Sequence, residues 1–137
     1  MKIACVGVGA IGGSLAGFIA KDGADILLID GWKEHVEVMN ENGLTLDGIV
    51  GSHNVPVNAI HENDISAIKE KFDLVIIGVK SYNTITTVKS MIPHMKADTW
   101  VVSPQNSINE LQIAPLVGAS RTVGCITTIS AGLYEPG

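Results

Sequence analysis

The chain opens on a strand, a glycine-rich turn, a helix and a second strand, and this run limits the folds open to everything after it. Ile3-Ala4-Cys5-Val6 is a short apolar stretch with the character of a buried parallel strand. Gly7, Gly9 and Gly12 follow at the spacing G-x-G-x-x-G. A helical apolar period begins at once, through Ile11, Leu15, Phe18 and Ile19. Gly23 stands where a helix C-terminus favours a left-handed residue. A second apolar strand, Ile26-Leu27-Leu28-Ile29, then ends on Asp30.

Each part has a physical use in a dinucleotide site. Gly7 permits the tight strand-to-helix turn, Gly9 lets a pyrophosphate approach bare backbone, and Gly12 lets helix and strand pack closely. The N–H groups at the helix start, near Ala10 and Ile11, face the phosphates with the helix dipole behind them. Asp30 lies 23 positions beyond Gly7, near the roughly 20-residue offset of an acid that binds the adenosine ribose. Nicotinamide and flavin dinucleotides both use this fingerprint, so it does not choose between them.

The rest of the chain repeats strand and helix with short connections. A helix-like segment through Val36, Met39 and Asn40 closes at Gly43, and Leu44–Leu46 with Val55–Val57 reads as a peripheral strand pair. Ile65, Ile68 and Phe72 mark a further helix. Phe72 to Val79 is the strongest buried strand, followed by a helix from Lys80 to about Ile92 that stops at Pro93. A strand at Trp100–Ser103, a loop at Pro104–Asn106, a helix from Ser107 to about Leu116 and a strand at Val123–Thr127 complete the order. Such alternation predicts an α/β fold: a Rossmann-like, doubly wound, mainly parallel sheet with helices on both faces. Residues 1–137 form one domain. Ligands of such sheets bind at the carboxyl ends of the strands, where the loops at 7–12, 79–83 and 104–106 meet.

Charge and composition narrow the partners. The net charge is −5, Arg121 is the single arginine, and no basic patch exists, which argues against nucleic acid or an anionic membrane surface. The uncharged run from Ile3 to Ala20 contains five glycines, which argues against a signal peptide or membrane span. Cys5 and Cys125 both fall in strand-like runs and read as buried free thiols of a cytoplasmic protein. His35, His53, His61 and His94 lack partners at ligand spacing, so no metal site is expected.

Two polar residues at strand ends stand out. Lys80 follows the strongest strand and precedes a helix, where its charge opposes the helix dipole and suits an anion or polar ligand in front of it. Asn106 follows the next strand, although asparagine is also common in turns for backbone reasons. Ser107-Ile108-Asn109-Glu110 has the S-x-x-E form of a capping box.

GVGAIGGSLA at Gly7 to Ala16, VKSY at Val79 to Tyr82 and QNSINE at Gln105 to Glu110 together resemble the N-terminal domain of the ketopantoate reductase family. The resemblance covers essentially the whole chain. It implies reduction of a small 2-keto acid, 2-dehydropantoate, to pantoate by a nicotinamide cofactor, in pantothenate and coenzyme A synthesis. By motif, Lys80 matches the family's lysine at the cofactor and substrate cleft, and Asn106 the asparagine beside nicotinamide and substrate. The family commonly has glycine where this chain has Ser107. Members using NADP usually place an arginine just after the second strand. Here Asp30-Gly31-Trp32-Lys33 puts a carboxylate there, with Lys33 in partial compensation, so the expected cofactor is NAD, with NADP the family precedent. The resemblance also implies a helical C-terminal domain that supplies the proton-donating lysine and a substrate-binding acid. The sheet's carboxyl edge should then carry an apolar patch that meets that domain or a second copy in a homodimer. This chain alone is expected to bind cofactor without turnover. A non-catalytic dinucleotide sensor and the cofactor domain of another hydroxyacid dehydrogenase are the alternatives.

Overall fold

The computed structural model describes all residues from Met1 to Gly137. Its main sheet has six strands: β1 (Lys2–Val6), β2 (Asp25–Asp30), β5 (Asn58–His61), β6 (Phe72–Ile77), β7 (Met95–Ser103) and β8 (Thr122–Gly124). They lie in the order β5-β2-β1-β6-β7-β8, and every pairing is parallel. A two-stranded antiparallel hairpin, β3 (Leu44–Leu46) with β4 (His53–Val55), stands apart. The helices are α1 (Ala10–Lys21), α2 (Lys33–Asn42), α3 (Thr84–Met91) and α4 (Glu110–Val117).

Alternation along the strands explains why the strand sequences are apolar throughout. In β1, Ile3 and Cys5 join one buried cluster while Ala4 and Val6 join the other. The first cluster takes in Ala16 of α1, Val36 and Met39 of α2, and Leu44, Leu46 and Val55 of the hairpin. The second takes in Val88 and Met91 of α3 and Ile113 and Val117 of α4. A sheet covered on both faces needs apolar side chains at odd and even positions alike. The strand order reverses at β1, so the turn after β1 opens at the sheet's switch point, where doubly wound folds bind ligands.

Several elements differ from the sequence expectation. The helix expected around Ile65 to Phe72 is a 3-10 turn over Glu62–Ala67, and Phe72 already begins β6. The expected pair to Val57 ends at Val55; beyond Pro56 the chain returns to the main sheet as edge strand β5, which alternation alone did not separate from the hairpin. β7 starts at Met95 rather than Trp100, because exposed Lys96, Ala97 and Asp98 interrupt the apolar signal between Met95 and the later core residues. β8 stops at Gly124, short of Thr127. α4 begins at Glu110, not Ser107. Ser107 has φ +77°, a left-handed conformation, and Asn109 at the helix N-cap makes no side-chain cap bond, so the capping box does not form. Cys5 is buried as expected, but Cys125 is exposed, because it lies just past the end of β8.

Candidate active site

The turn after β1 is built as its glycines require. Gly7 has φ +90°, and a Cβ there would fall 2.5 Å from the Val79 backbone nitrogen. A Cβ on Gly12 would fall 1.9 Å from the Gly7 carbonyl oxygen. Backbone occupies both spaces, so only glycine fits. Gly9 differs: a Cβ there would meet nothing within 4 Å. That open space lies at the N-cap of α1, ahead of the N–H groups of Ala10 and Ile11, which a helix leaves without intrahelical acceptors. Open space, free donors and the positive end of a helix dipole suit a pyrophosphate.

Both sides of the Val8 peptide are fixed by side chains. Its N–H donates to Asp30 Oδ2 at 2.6 Å, and its carbonyl accepts from His35 Nε2 at 3.0 Å. Asp30 Oδ1 accepts from the Trp32 N–H at 2.8 Å. The carboxylate at the end of β2 is therefore held in place, with a second lone pair on each oxygen free for ribose hydroxyls. His35 is fully buried, and its Nδ1 accepts from the Gly137 N–H at 2.8 Å, which fixes the neutral Nε2–H tautomer. Spacing gave no sign of this role, because His35 sits on α2, far from the glycines in sequence. Lys33 is exposed and 3.6 Å from Glu37, one helical turn on. Beneath the turn, burial and then the nearby Asp30 charge push the Cys5 thiol up to about 12.

Lys80 and Asn106 come together. Both line one cleft with Ile11, Gly78, Val79, Ser81, Pro104, Gln105 and Thr127. Lys80 caps the short 3-10 turn Ser81–Asn83 at the carboxyl end of β6, and Asn106 lies in the loop after β7; both are exposed. Two buried residues outside the expected set join these loops. Gln105 donates to the Val79 carbonyl at 2.6 Å and to Thr84 Oγ1 at 2.8 Å, and accepts from Ser103 Oγ at 2.9 Å. Asn109 Nδ2 donates to the Asn106 carbonyl at 2.7 Å and Ser81 Oγ at 3.3 Å. The cleft encloses about 160 Å³, well under the ~300–1,000 Å³ of a complete small-molecule site. Tyr82, Ile108, Leu111 and Ile126 stand exposed on the elements around it. There is no cluster of His, Cys, Asp or Glu able to hold a metal ion. No helix is long and apolar enough to cross a membrane.

Fold and glycine turn together define a Rossmann-like dinucleotide-binding domain. Residues 3–137 match the family described as ketopantoate reductase PanE/ApbA, and the chain belongs to that family. The 2-dehydropantoate 2-reductase of Pyrococcus horikoshii is 41% identical across all of this chain, which spans 43% of that protein. A D-mandelate dehydrogenase solved with NADH and anilino(oxo)acetate superposes with a TM-score of 0.85 at 28% identity, over 99% of this chain and 43% of that one. The 2-dehydropantoate 2-reductase of Geobacter metallireducens gives 0.88 at 27% identity, over 100% and 44%. The chain thus spans less than half the length of the relatives it matches.

Proposed function

We propose that this chain is the cofactor domain of an NAD(H)-preferring enzyme that reduces a 2-keto acid, 2-dehydropantoate first, to the 2-hydroxy acid. The observation that carries the reading is the shared cleft of Lys80, Asn106 and Ile11, which joins the two polar side chains to the start of α1. A sensor that only bound dinucleotide would have no use for Lys80 and Asn106 at that place. The relative crystallised with NADH and an oxo-acid supports both the cofactor class and the substrate class, and it favours other 2-keto acids as the second reading.

The glycine turn and the first N–H groups of α1 hold the pyrophosphate, and Asp30 accepts from the adenosine ribose. Bound nicotinamide supplies a hydride to the keto carbon. Lys80 offers a cation to the substrate carboxylate or the developing alkoxide, and the Asn106 amide orients the keto acid against the ring. The proton that completes the hydroxyl comes from a group outside this chain, on a second, helical domain that covers the exposed apolar residues and closes the half-open cleft.

Two measurements test this reading. The 137-residue chain should bind NADH and leave it unoxidised when 2-dehydropantoate is added; steady turnover by the chain alone would contradict the assignment of the proton donor to a second domain. In the longer protein carrying that domain, Asn106→Ala should lower kcat by roughly 100-fold and leave NADH affinity within about threefold. An unchanged kcat would remove Asn106 from the machinery.

A further inference from the structure

The residues next to Asp30 bear on which dinucleotide fits. β2 and β5 are adjacent and parallel, with Asp30 opposite His61, so their carboxyl ends open side by side. The turn after β5 is pinned against the one after β2. His61 Nε2 donates to the Gly31 carbonyl at 3.0 Å, while its Nδ1 accepts from the Asn63 N–H at 3.2 Å. Glu62 lies between those bonds, on the outside of the turn, and is exposed. Its carboxylate rests over the bare Cα of Gly31: a Cβ there would lie 3.0 Å from Oε1 and 3.3 Å from Oε2. Two carboxylates, Asp30 at the end of β2 and Glu62 just after β5, thus flank Gly31.

The cations do not balance them. Lys33 is the nearest in sequence, and it is turned to Glu37 on the exposed face of α2. Arg121 immediately precedes β8, at the other edge of the sheet from β5.

We infer that Glu62 is a second specificity-determining residue, which with Asp30 selects an adenosine 2′-hydroxyl over a 2′-phosphate; this rests on the proposed dinucleotide site. A carboxylate accepts from a hydroxyl but repels a phosphomonoester of charge about −1.5 to −2. Removing one such like charge beside the 2′ position should change NADPH affinity by roughly tenfold. Asp30 is tied to the Val8 and Trp32 N–H groups, so it cannot turn aside for a phosphate without freeing the glycine turn. Glu62 makes no such bond, which makes it the residue to change without disturbing the fold.

The test is calorimetric titration of the 137-residue chain and its Glu62→Gln and Glu62→Lys variants with NADH and with NADPH, at low and high salt. Wild type should favour NADH. Glu62→Gln should tighten NADPH by roughly tenfold, and Glu62→Lys further. The wild-type preference should narrow as salt rises, since Glu62 is exposed and Asp30 only partly buried. If both cofactors bind and the NADPH-to-NADH ratio is the same in all three proteins, Glu62 has no part in selection and the inference falls. If wild type binds neither, the dinucleotide site itself is refuted, and this inference with it.

Discussion

Asp30 shows how much a single carboxylate can be asked to do. From sequence it is expected to be a ribose ligand; in the fold it also accepts from the Val8 N–H, and so shapes the turn proposed to receive the pyrophosphate. Asp30→Ala should therefore weaken NADH by more than the loss of ribose bonds alone, and Asp30→Asn, which keeps an acceptor oxygen for one of the two N–H groups, should recover part of that loss. Titration of both variants checks this; equal affinities would contradict it. Ser107 carries a different strain. At φ +77° a residue with a Cβ is disfavoured by roughly 1–2 kcal/mol. Ser107→Gly should raise stability by a good part of that, reduced by glycine's larger entropy when unfolded, as measured by denaturant unfolding. The two cysteines separate by burial. A thiol reagent at neutral pH should modify Cys125 in the folded protein and reach Cys5 only after unfolding, because Cys5 is fully buried and its thiol is pushed up to about 12. Rapid loss of both thiols under native conditions would contradict this packing.

At the scale of elements, the glycine turn was legible because its requirements are local. A strand, three glycines and a helical period lie within one short stretch, and each constraint acts between near neighbours. That Lys80 and Asn106 share one cleft was legible through the strand ends they follow. What sequence missed is long-range. β5 is only Asn58–His61, and its pairing partner β2 lies about thirty residues earlier. His35, Gln105 and Asn109 act through bonds between elements that no spacing rule connects. The Ser107-to-Glu110 pattern misled because a capping box requires the serine in extended backbone, and here the loop turns left-handed. Packing between α1 and the sheet gives the sharpest test at this scale. A Cβ on Gly12 would collide with the Gly7 carbonyl, which is backbone and cannot turn aside. Gly12→Ala should cost at least ~1–3 kcal/mol, seen as a lower urea midpoint.

For the whole molecule, the architecture divides labour between the two halves of the sheet. β1, β2 and β5 with their turns form the side proposed to hold the nucleotide, and β6 and β7 carry the cleft lined by Lys80 and Asn106. Tyr82, Ile108, Leu111 and Ile126 stand exposed around that cleft, the surface that the proposed second domain would cover. Acid stability has an identifiable contributor at the opposite end of the sheet. The Lys96 ammonium, and after it the Lys2 N–H, hold the Asp73 carboxyl below the usual carboxylate range. Its contribution is present above the unfolded pKa of about 3.9 and fades as pH falls through the lower folded value. In the proposed site a nicotinamide dinucleotide lies with its pyrophosphate over Gly9. Gly9 is the one fingerprint glycine whose Cβ space is empty and whose φ, −72°, suits any residue. The most direct measurement is the melting temperature of the wild-type chain and of Gly9→Val, each with and without NADH. The two proteins should melt within a few degrees of each other without ligand, and NADH should raise only the wild type. An equal NADH-induced rise in both would contradict the site.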